Sequence, residues 1–517
     1  MASKGVGNAG LVPFGAAVAL IVLASIIDTE AVGWLVAPFV LLLLIVAMVR
    51  VPLRVSLLTL MFCALVLENP AEGFANGRYE SPTHTIGALL QNHMNTVTGV
   101  KILFMSGMDI MLVTLVLIAL SRESSGSKID RAGRVPTPRP LVQLAFVSFA
   151  GTVFTFLSGV VRGGDVGIML WQMDRVVYLP LVFWLFNMGF RGPADHIAIG
   201  KVLVAAGTTR ALAATYIIHT VYEKPDDNGI ISILPYATTH ADSMLFAMAF
   251  VVMLALAFTR PGKRYMRVVY VVLPILILGM ISNHRRMVWV QIALVVFALY
   301  VVTPTNAIKR KLQRTLLMLA PLVAGYVLAG WNSGSRIFKP VQTLRSVVDS
   351  KSDNSTLWRD IENFDLIATI RENPIFGVGY GHPYLEIVPL PAVDYPLEKY
   401  LPHNSILGLF SSAGLVGYAA MTMLWVAGGF FAMRAYYATT NPIDRAAAIA
   451  CFGAVPVYLI QCWGDLGLGA PTGVWLIAPA IAVAGKLAVA NGAWSDKKGK
   501  SSPPDVVASA QRPAGTG

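Results

Sequence analysis

Apolar stretches of about 15 to 22 residues recur from one end of this chain to the other, each long enough to cross a ~30 Å hydrocarbon core. No other feature narrows the fold so far. Backbone polar groups must be paired within lipid, and spans of this length without period-2 alternation satisfy that as helices. Composition agrees: of 517 residues 56% are hydrophobic and only 13% charged. The chain is therefore expected to be all-α, a polytopic transmembrane helical bundle of about 12–14 spans. The spans fall at roughly 11–27, 33–49, 53–67, 101–120, 141–160, 176–190, 197–221, 243–259, 268–282, 287–303, 316–330, 405–432, 446–463 and 472–490. The first has no small-residue cleavage site followed by a polar boundary, so it reads as an anchor and not a removed signal peptide.

Counting alternate crossings puts the basic residues on one side. Arg50 and Arg54 fall there, with Arg122, Lys128, Arg131, Arg134 and Arg139, then Arg260, Lys263, Arg264 and Arg267. Lys309, Arg310, Lys311, Arg314, Arg434, Arg445 and the Lys497, Lys498 and Lys500 tail join them. By the positive-inside bias that side is cytoplasmic, with both termini. The net charge of +12 is then topological in origin, and no nucleic-acid partner is expected. Cys63, Cys451 and Cys462 all lie within spans without CxxC spacing, so neither a disulfide framework nor a metal site is expected from them.

The chain divides into N-terminal spans (1–120), a Ser-, Arg- and Pro-rich cytoplasmic linker (121–140) and a transmembrane core (141–330). A large external loop (331–404), C-terminal spans (405–490) and a disordered tail (491–517) follow. In the first external loop, 68–100, His84 and His93 are too far apart for a helical ligand pair, which leaves a surface loop. Arg162 and Asp165, with Asp174 and Arg175, admit two readings, internal salt bridges or an anion-binding loop. Arg210 lies deep in a span, where an arginine faces the bundle interior or a watery cavity. Tyr236, His240 and Asp242 stand at the mouth of the eighth span.

Two places oppose the general pattern. Ser282-Asn283-His284-Arg285-Arg286 is a tight turn on the external side, where arginine is disfavoured. Arg285 and Arg286 suit bidentate phosphate binding, the alternative being ion pairs with acids of the large loop. The second place is the large loop. Its Ser355 can cap a helix through about Arg371, with Leu357, Ile361, Phe364 and Ile367 or Ile370 on one face, lying on the outer membrane surface or against the bundle. Asn373-Pro374 stops it. Gly377-Val378-Gly379-Tyr380-Gly381-His382 follows; with no βαβ unit around it, this is no dinucleotide fingerprint, and the glycines suit a tight turn beneath a bulky ligand. His403-Asn404-Ser405 then opens the twelfth span, with Asn404 or Ser405 as its cap and the positive end of the helix dipole at the aqueous mouth.

Pro374-Ile375-Phe376-Gly377-Val378-Gly379, His403-Asn404 at the mouth of a span, and Gly414-x-x-Gly417 together resemble the signature of the O-antigen ligase and polymerase superfamily. Ser282-x-x-Arg285 resembles that family's external arginine turn, and Trp358-Arg359 its helix before the Pro-Phe-Gly motif. The resemblance covers roughly 140–480 and is diagnostic in 355–417; fourteen spans exceed the family's usual twelve. It implies a GT-C-type, inverting, metal-independent glycosyltransferase needing no cofactor, in the bacterial inner membrane with its site on the external face. Its substrate would be an undecaprenyl-diphosphate-linked glycan, transferred to an acceptor glycan or lipid. Flippase and chain-length regulator proteins would be its partners.

On that reading His403 is the base that takes the acceptor proton, and Arg285 stabilises the departing diphosphate. Arg286, His284, Arg175, Arg162, Gly379, His382 and Asn404 would bind substrate. A polymerase joining repeat units is favoured because such enzymes serve more surface-polysaccharide pathways, with a ligase acting on lipid A-core or another acceptor as the alternative. A lipid-linked oligosaccharide flippase is the competitor from another class. Against it, no half of the chain is duplicated and the special residues cluster outside rather than at mid-depth.

Overall fold

The computed structural model describes residues 30–67, 105–219, 238–305, 307–338, 354–390 and 399–495, with scattered positions between them. The expected first span and the tail beyond 495 lie outside the described residues. Every other expected span coincides with a helix: α1 Glu30–Arg50, α2 Leu53–Val66, α3 Gly107–Ser124, α4 Arg139–Val161, α5 Val166–Gly189, α6 Pro193–Ile217 and α7 His240–Thr259. The series continues with α8 Lys263–Asn283, α9 Met287–Val302 and α10 Ala307–Gly330. One helix of the large loop, α11 Asn354–Glu372, precedes α12 Ser405–Ala438, α13 Pro442–Gly464 and α14 Pro471–Ala490. Among the described residues nine helices are long and apolar enough to cross a membrane, and shorter apolar helices lie at Phe39–Arg50, Leu53–Val66 and Met287–Val302. The protein is an all-α integral membrane bundle.

The core is built around α14. Its residues are mostly small and apolar, and nearly all are buried against α5, α12 and α13. Close approach between helices depends on such residues. A Cβ on Gly428 of α12 would come within 2.6 Å of Ile481, and one on Gly151 of α4 within 2.8 Å of Ala420. At the other extreme, α10 exposes Leu316, Leu317, Met318, Leu322, Val323 and Leu328, as a helix surrounded by lipid would.

The turns at the basic end interlock. Arg122 holds Asp130 at 2.9 Å and reaches the carbonyls of Val49 and Val51. Arg54 reaches Asp195, and Arg134 the carbonyl of Met188. The opposite end carries the starts of α5, α7, α9 and α12, the finishes of α4, α8 and α13, and α11.

Helix α11 runs from Asn354, one residue before the expected cap, and of the two expected settings, membrane surface or bundle, its apolar stripe is turned away from the bundle. Leu357, Phe364 and Ile367 are exposed, while Glu362, Asp365, Leu366 and Thr369 are buried. The rule that an apolar stripe faces the core assumes water on the other side. At a membrane surface lipid can take the apolar stripe, which frees the polar stripe to bind protein.

Candidate active site

Two devices hold the segment after α11. The first is a backbone splice into α12. Gly414 has φ +59 and ψ −173, which breaks the helix there. Into the break runs Pro374–Gly379: Val378 and Gly379 N–H donate to the carbonyls of Ser411 and Ser412 at 2.9 and 2.8 Å. On the other side Leu415 and Val416 donate to Pro374 and Ile375 at 2.9 and 3.1 Å. Gly379 has φ +87, and a Cβ there would sit 2.5 Å from the backbone nitrogen of Gly159 in α4. The glycines thus serve backbone-on-backbone packing, a role the sequence reading, which set them beneath a ligand, had not seen.

The second device is the buried stripe of α11. Asp365 accepts from Ile387 and Val388 N–H at 3.1 and 3.2 Å, and Thr369 from Leu385 N–H at 2.9 Å. One turn earlier Glu362 accepts the His403 N–H at 3.0 Å, and its other oxygen lies 3.3 Å from His403 Nδ1. The Glu362 side chain is 1% exposed and that of His403 29%. Trp358 meets the imidazole edge-on, ring centres 5.9 Å apart. Asn404 donates to Asn363 at 2.9 Å and its Oδ1 caps α12 through Leu407 N–H at 3.1 Å. Of the two expected caps, Asn404 is the one used.

Beside this start of α12 lies a cavity of about 60 Å³ lined by Gln172, Tyr380, Tyr400, Pro402, Ser405 and Leu468, among others. Gln172 ties its walls together, donating to Tyr400 O and accepting from Gly381 N–H, both at 2.7 Å. Burial pushes the Tyr380 phenol far above its ordinary range, so it keeps its proton at neutral pH.

The arginine turn sits between α8 and α9. His284 takes a left-handed conformation, φ +56, that reverses the chain. His284 and Arg286 are exposed and Arg285 half-buried. Asn283, fully buried, accepts from Thr238 Oγ1 at 2.8 Å and so fixes the turn to the residues before α7. At the start of α7 His240 Nδ1 pairs with Asp465 Oδ2, and the Asp465 carbonyl accepts from Ser405 Oγ at 3.3 Å. A run of contacts therefore joins the turn of Arg285 to the helix start of His403. Burial acts on the Asp465 carboxyl most strongly and upward, yet the His240 charge and hydrogen bond, the Leu466 N–H and Arg359 outweigh it and hold the group well below the usual carboxylate range.

The remaining candidates lie apart from that run. Arg162 donates to Asn373 at 3.2 Å, while Asp165, its expected partner, caps α5 through Ile168 N–H. The Arg175 side chain lies outside the described residues. His382 is half-buried beside Gly164. Arg210 forms a buried bidentate pair with Asp242, its Nη2 at 2.6 Å and Nε at 3.1 Å. Among the described residues one group has metal-ligand chemistry: His93, Asp109 and Asp174 bring their ligand atoms within 4.8 Å of one another. Asp109 already accepts from Ser106 N–H and Oγ and from Tyr178, and Asp174 faces His93 at 3.5 Å. These bonds make the group a clasp between the first loop and α3 and α5.

A family profile described as O-antigen ligase matches residues 271–422, from within α8 into α12. A curated O-antigen ligase of Salmonella typhimurium (strain LT2) is 29% identical over 261 residues. From α8 into α12 the chain is similar to the O-antigen ligase family.

That alignment takes in 48% of this chain and 59% of the Salmonella protein, so the chain spans less than two thirds of that relative's length. The match to the family includes the arginine turn, α11, the splice and the His403–Asn404 start of α12. Glu362, Asp465 and the pairing of His240 were missed from sequence. A signal for the first existed: Glu362, Asp365 and Thr369 recur at helical spacing, the mark of one common face.

Proposed function

We propose that this protein transfers a glycan from a lipid-linked diphosphate to a hydroxyl acceptor, with His403 as base. The observation that carries the reading is the His403–Glu362 pair. With Nδ1–H directed at the buried Glu362 carboxylate, the neutral ring presents Nε2 as a proton acceptor. The acceptor oxygen attacks the anomeric carbon opposite the diphosphate, so configuration inverts. The bond to the diphosphate breaks with its electron pair, and the acceptor proton passes to Nε2. A diphosphate already leaves well, so the protein's second task is charge stabilisation, assigned to Arg285 and Arg286. The donor would be an undecaprenyl diphosphate glycan, taken from the outer leaflet of the inner membrane.

Ligase and polymerase differ only in the acceptor. Preference for the polymerase rests on how widely such enzymes occur. The profile and the Salmonella relative both carry the ligase name, which brings the ligase level with it. Cells carrying His403→Ala at normal expression, with surface glycan run on a gel beside a full deletion, test the proposal. Loss of long glycan matching the deletion is expected. Single repeat units left on the acceptor then mean a polymerase, and full-length chains stranded on the lipid carrier a ligase. Wild-type glycan from His403→Ala would overturn the assignment.

A further inference from the structure

We infer that His240, the first residue of α7, is a second functional imidazole of this site, donating a hydrogen bond to the diphosphate of the lipid-linked donor. The inference rests on the glycosyl-transfer reading above and adds to it a residue outside the profile match of 271–422.

Four observations carry it. His240, like His403, is held by a buried carboxylate, and the two carboxylates come from different elements: Glu362 from α11 and Asp465 from the turn after α13. Its ring is fixed and still accessible, 40% exposed over an Asp465 that is 6% exposed. Because Nδ1 is the nitrogen turned to Asp465, Nε2 is directed away from it. His240 also lies inside the run of contacts between the two parts of the mechanism: Thr238, two residues before it, holds Asn283 of the arginine turn, and Asp465 holds Ser405 at the start of α12.

The charged groups around His240 fit a cation there. Asp465 faces it directly, and Arg359 of α11 acts on the same carboxylate. Asp242, two residues along α7, is taken up by Arg210 of α6 and does not compete for the ring. Glu362 is occupied by His403. With Nδ1–H turned to Asp465, Nε2 is a charge-assisted donor when the ring is protonated and an acceptor when it is neutral.

The two imidazoles then have opposite duties. His403 takes the proton released from the acceptor hydroxyl as the new glycosidic bond forms. His240 keeps its proton and hydrogen-bonds the diphosphate oxygen that receives the electron pair of the broken bond. No further reactant is needed.

The test uses the purified full-length protein in lipid nanodiscs, with geranylgeranyl diphosphate as the probe, a prenyl diphosphate without sugar. Its affinity is measured by calorimetry at about pH 6 and about pH 8, on either side of the ordinary histidine range. His240→Gln is expected to weaken binding about tenfold at the lower pH and about twofold or less at the higher. His240→Arg, which keeps a donor and a charge that does not titrate, should bind near the wild-type level at the lower pH and more tightly than wild type at the higher. A Gln variant with wild-type affinity at the lower pH, or an Arg variant no better than Gln, would overturn the role of His240 while leaving the transfer reading in place. A wild-type protein that fails to bind the probe at either pH would remove the transfer reading, and this inference with it.

Discussion

Glu362 holds His403 twice, accepting its backbone N–H at 3.0 Å with one carboxylate oxygen and facing Nδ1 at 3.3 Å with the other. One side chain thus fixes both the position of the residue and the orientation of its ring. Replacing Glu362 by Gln keeps the shape and leaves the backbone bond possible, but removes the charge that selects the tautomer. We expect transfer to fall by about tenfold to a hundredfold in kcat with KM little changed, and His403→Ala to cost about a hundredfold or more. Steady-state rates of both variants on a lipid-linked donor are the check. Equal losses in Glu362→Gln and Glu362→Ala, both confined to KM, would contradict a role in orienting the base.

The splice between Pro374–Gly379 and α12 predicts a steep cost for any side chain at its glycines. Gly379→Ala places a Cβ on the Gly159 backbone at a positive φ, costing at least about 1–2 kcal/mol for the conformation alone. Gly414→Ala meets the backbone of Ile375 and Gly377 in the same way. Gly325→Ala in α10 meets nothing within 4 Å and should be neutral or slightly stabilising. Thermal unfolding of the purified variants separates the three.

Asp465 makes stability depend on acidity in a definite direction. Its carboxyl is held below the ordinary range in the folded protein. The stabilisation is therefore complete above the unfolded value of about 4 and is lost as pH falls through the folded value. Asp465→Asn should lower the melting temperature throughout the neutral range. The gap from wild type should narrow only at strongly acid pH. A variant that melts like wild type at neutral pH would contradict the pairing with His240.

Arg210 and Asp242 are buried and paired through two guanidinium nitrogens. Removing either partner leaves a charge without compensation, at about 3–5 kcal/mol. The paired replacement Arg210→Met with Asp242→Leu should cost less than either single change. A double-mutant cycle read by thermal unfolding gives the coupling, and additive losses would contradict the ion pair.

The spans were legible because hydropathy is a local property and lipid leaves so few alternatives. The arginine turn and His403-Asn404-Ser405 were legible because each breaks a rule that the surrounding sequence obeys. The partners were not. Glu362 lies 41 residues from His403, Asp465 lies 60 from Ser405, and an acid on a helix reads as a solvated face until its neighbour is known. Helix α11 was placed, but whether its apolar stripe faced the membrane surface or the bundle was left open. A stripe of Leu357, Phe364 and Ile367 identifies what avoids water, without saying whether lipid or protein takes its place.

The contact between α4 and α12 has a consequence for how the protein is made. Gly151 lies against Ala420, and Thr155 both borders Gly417 and accepts Tyr380 N–H at its carbonyl. The two helices are separated by more than two hundred residues of chain, so α4 enters the bilayer long before its neighbour has been translated. During that interval its Ser148, Thr152 and Thr155 side has no α12 to meet. The Thr152 and Thr155 hydroxyls bond to carbonyls of their own helix, at Ser148 and Gly151, and so require no partner while they wait. Biogenesis can then proceed in order of synthesis, with α4 resting in lipid until α12 arrives and the loop between them is drawn into the break at Gly414.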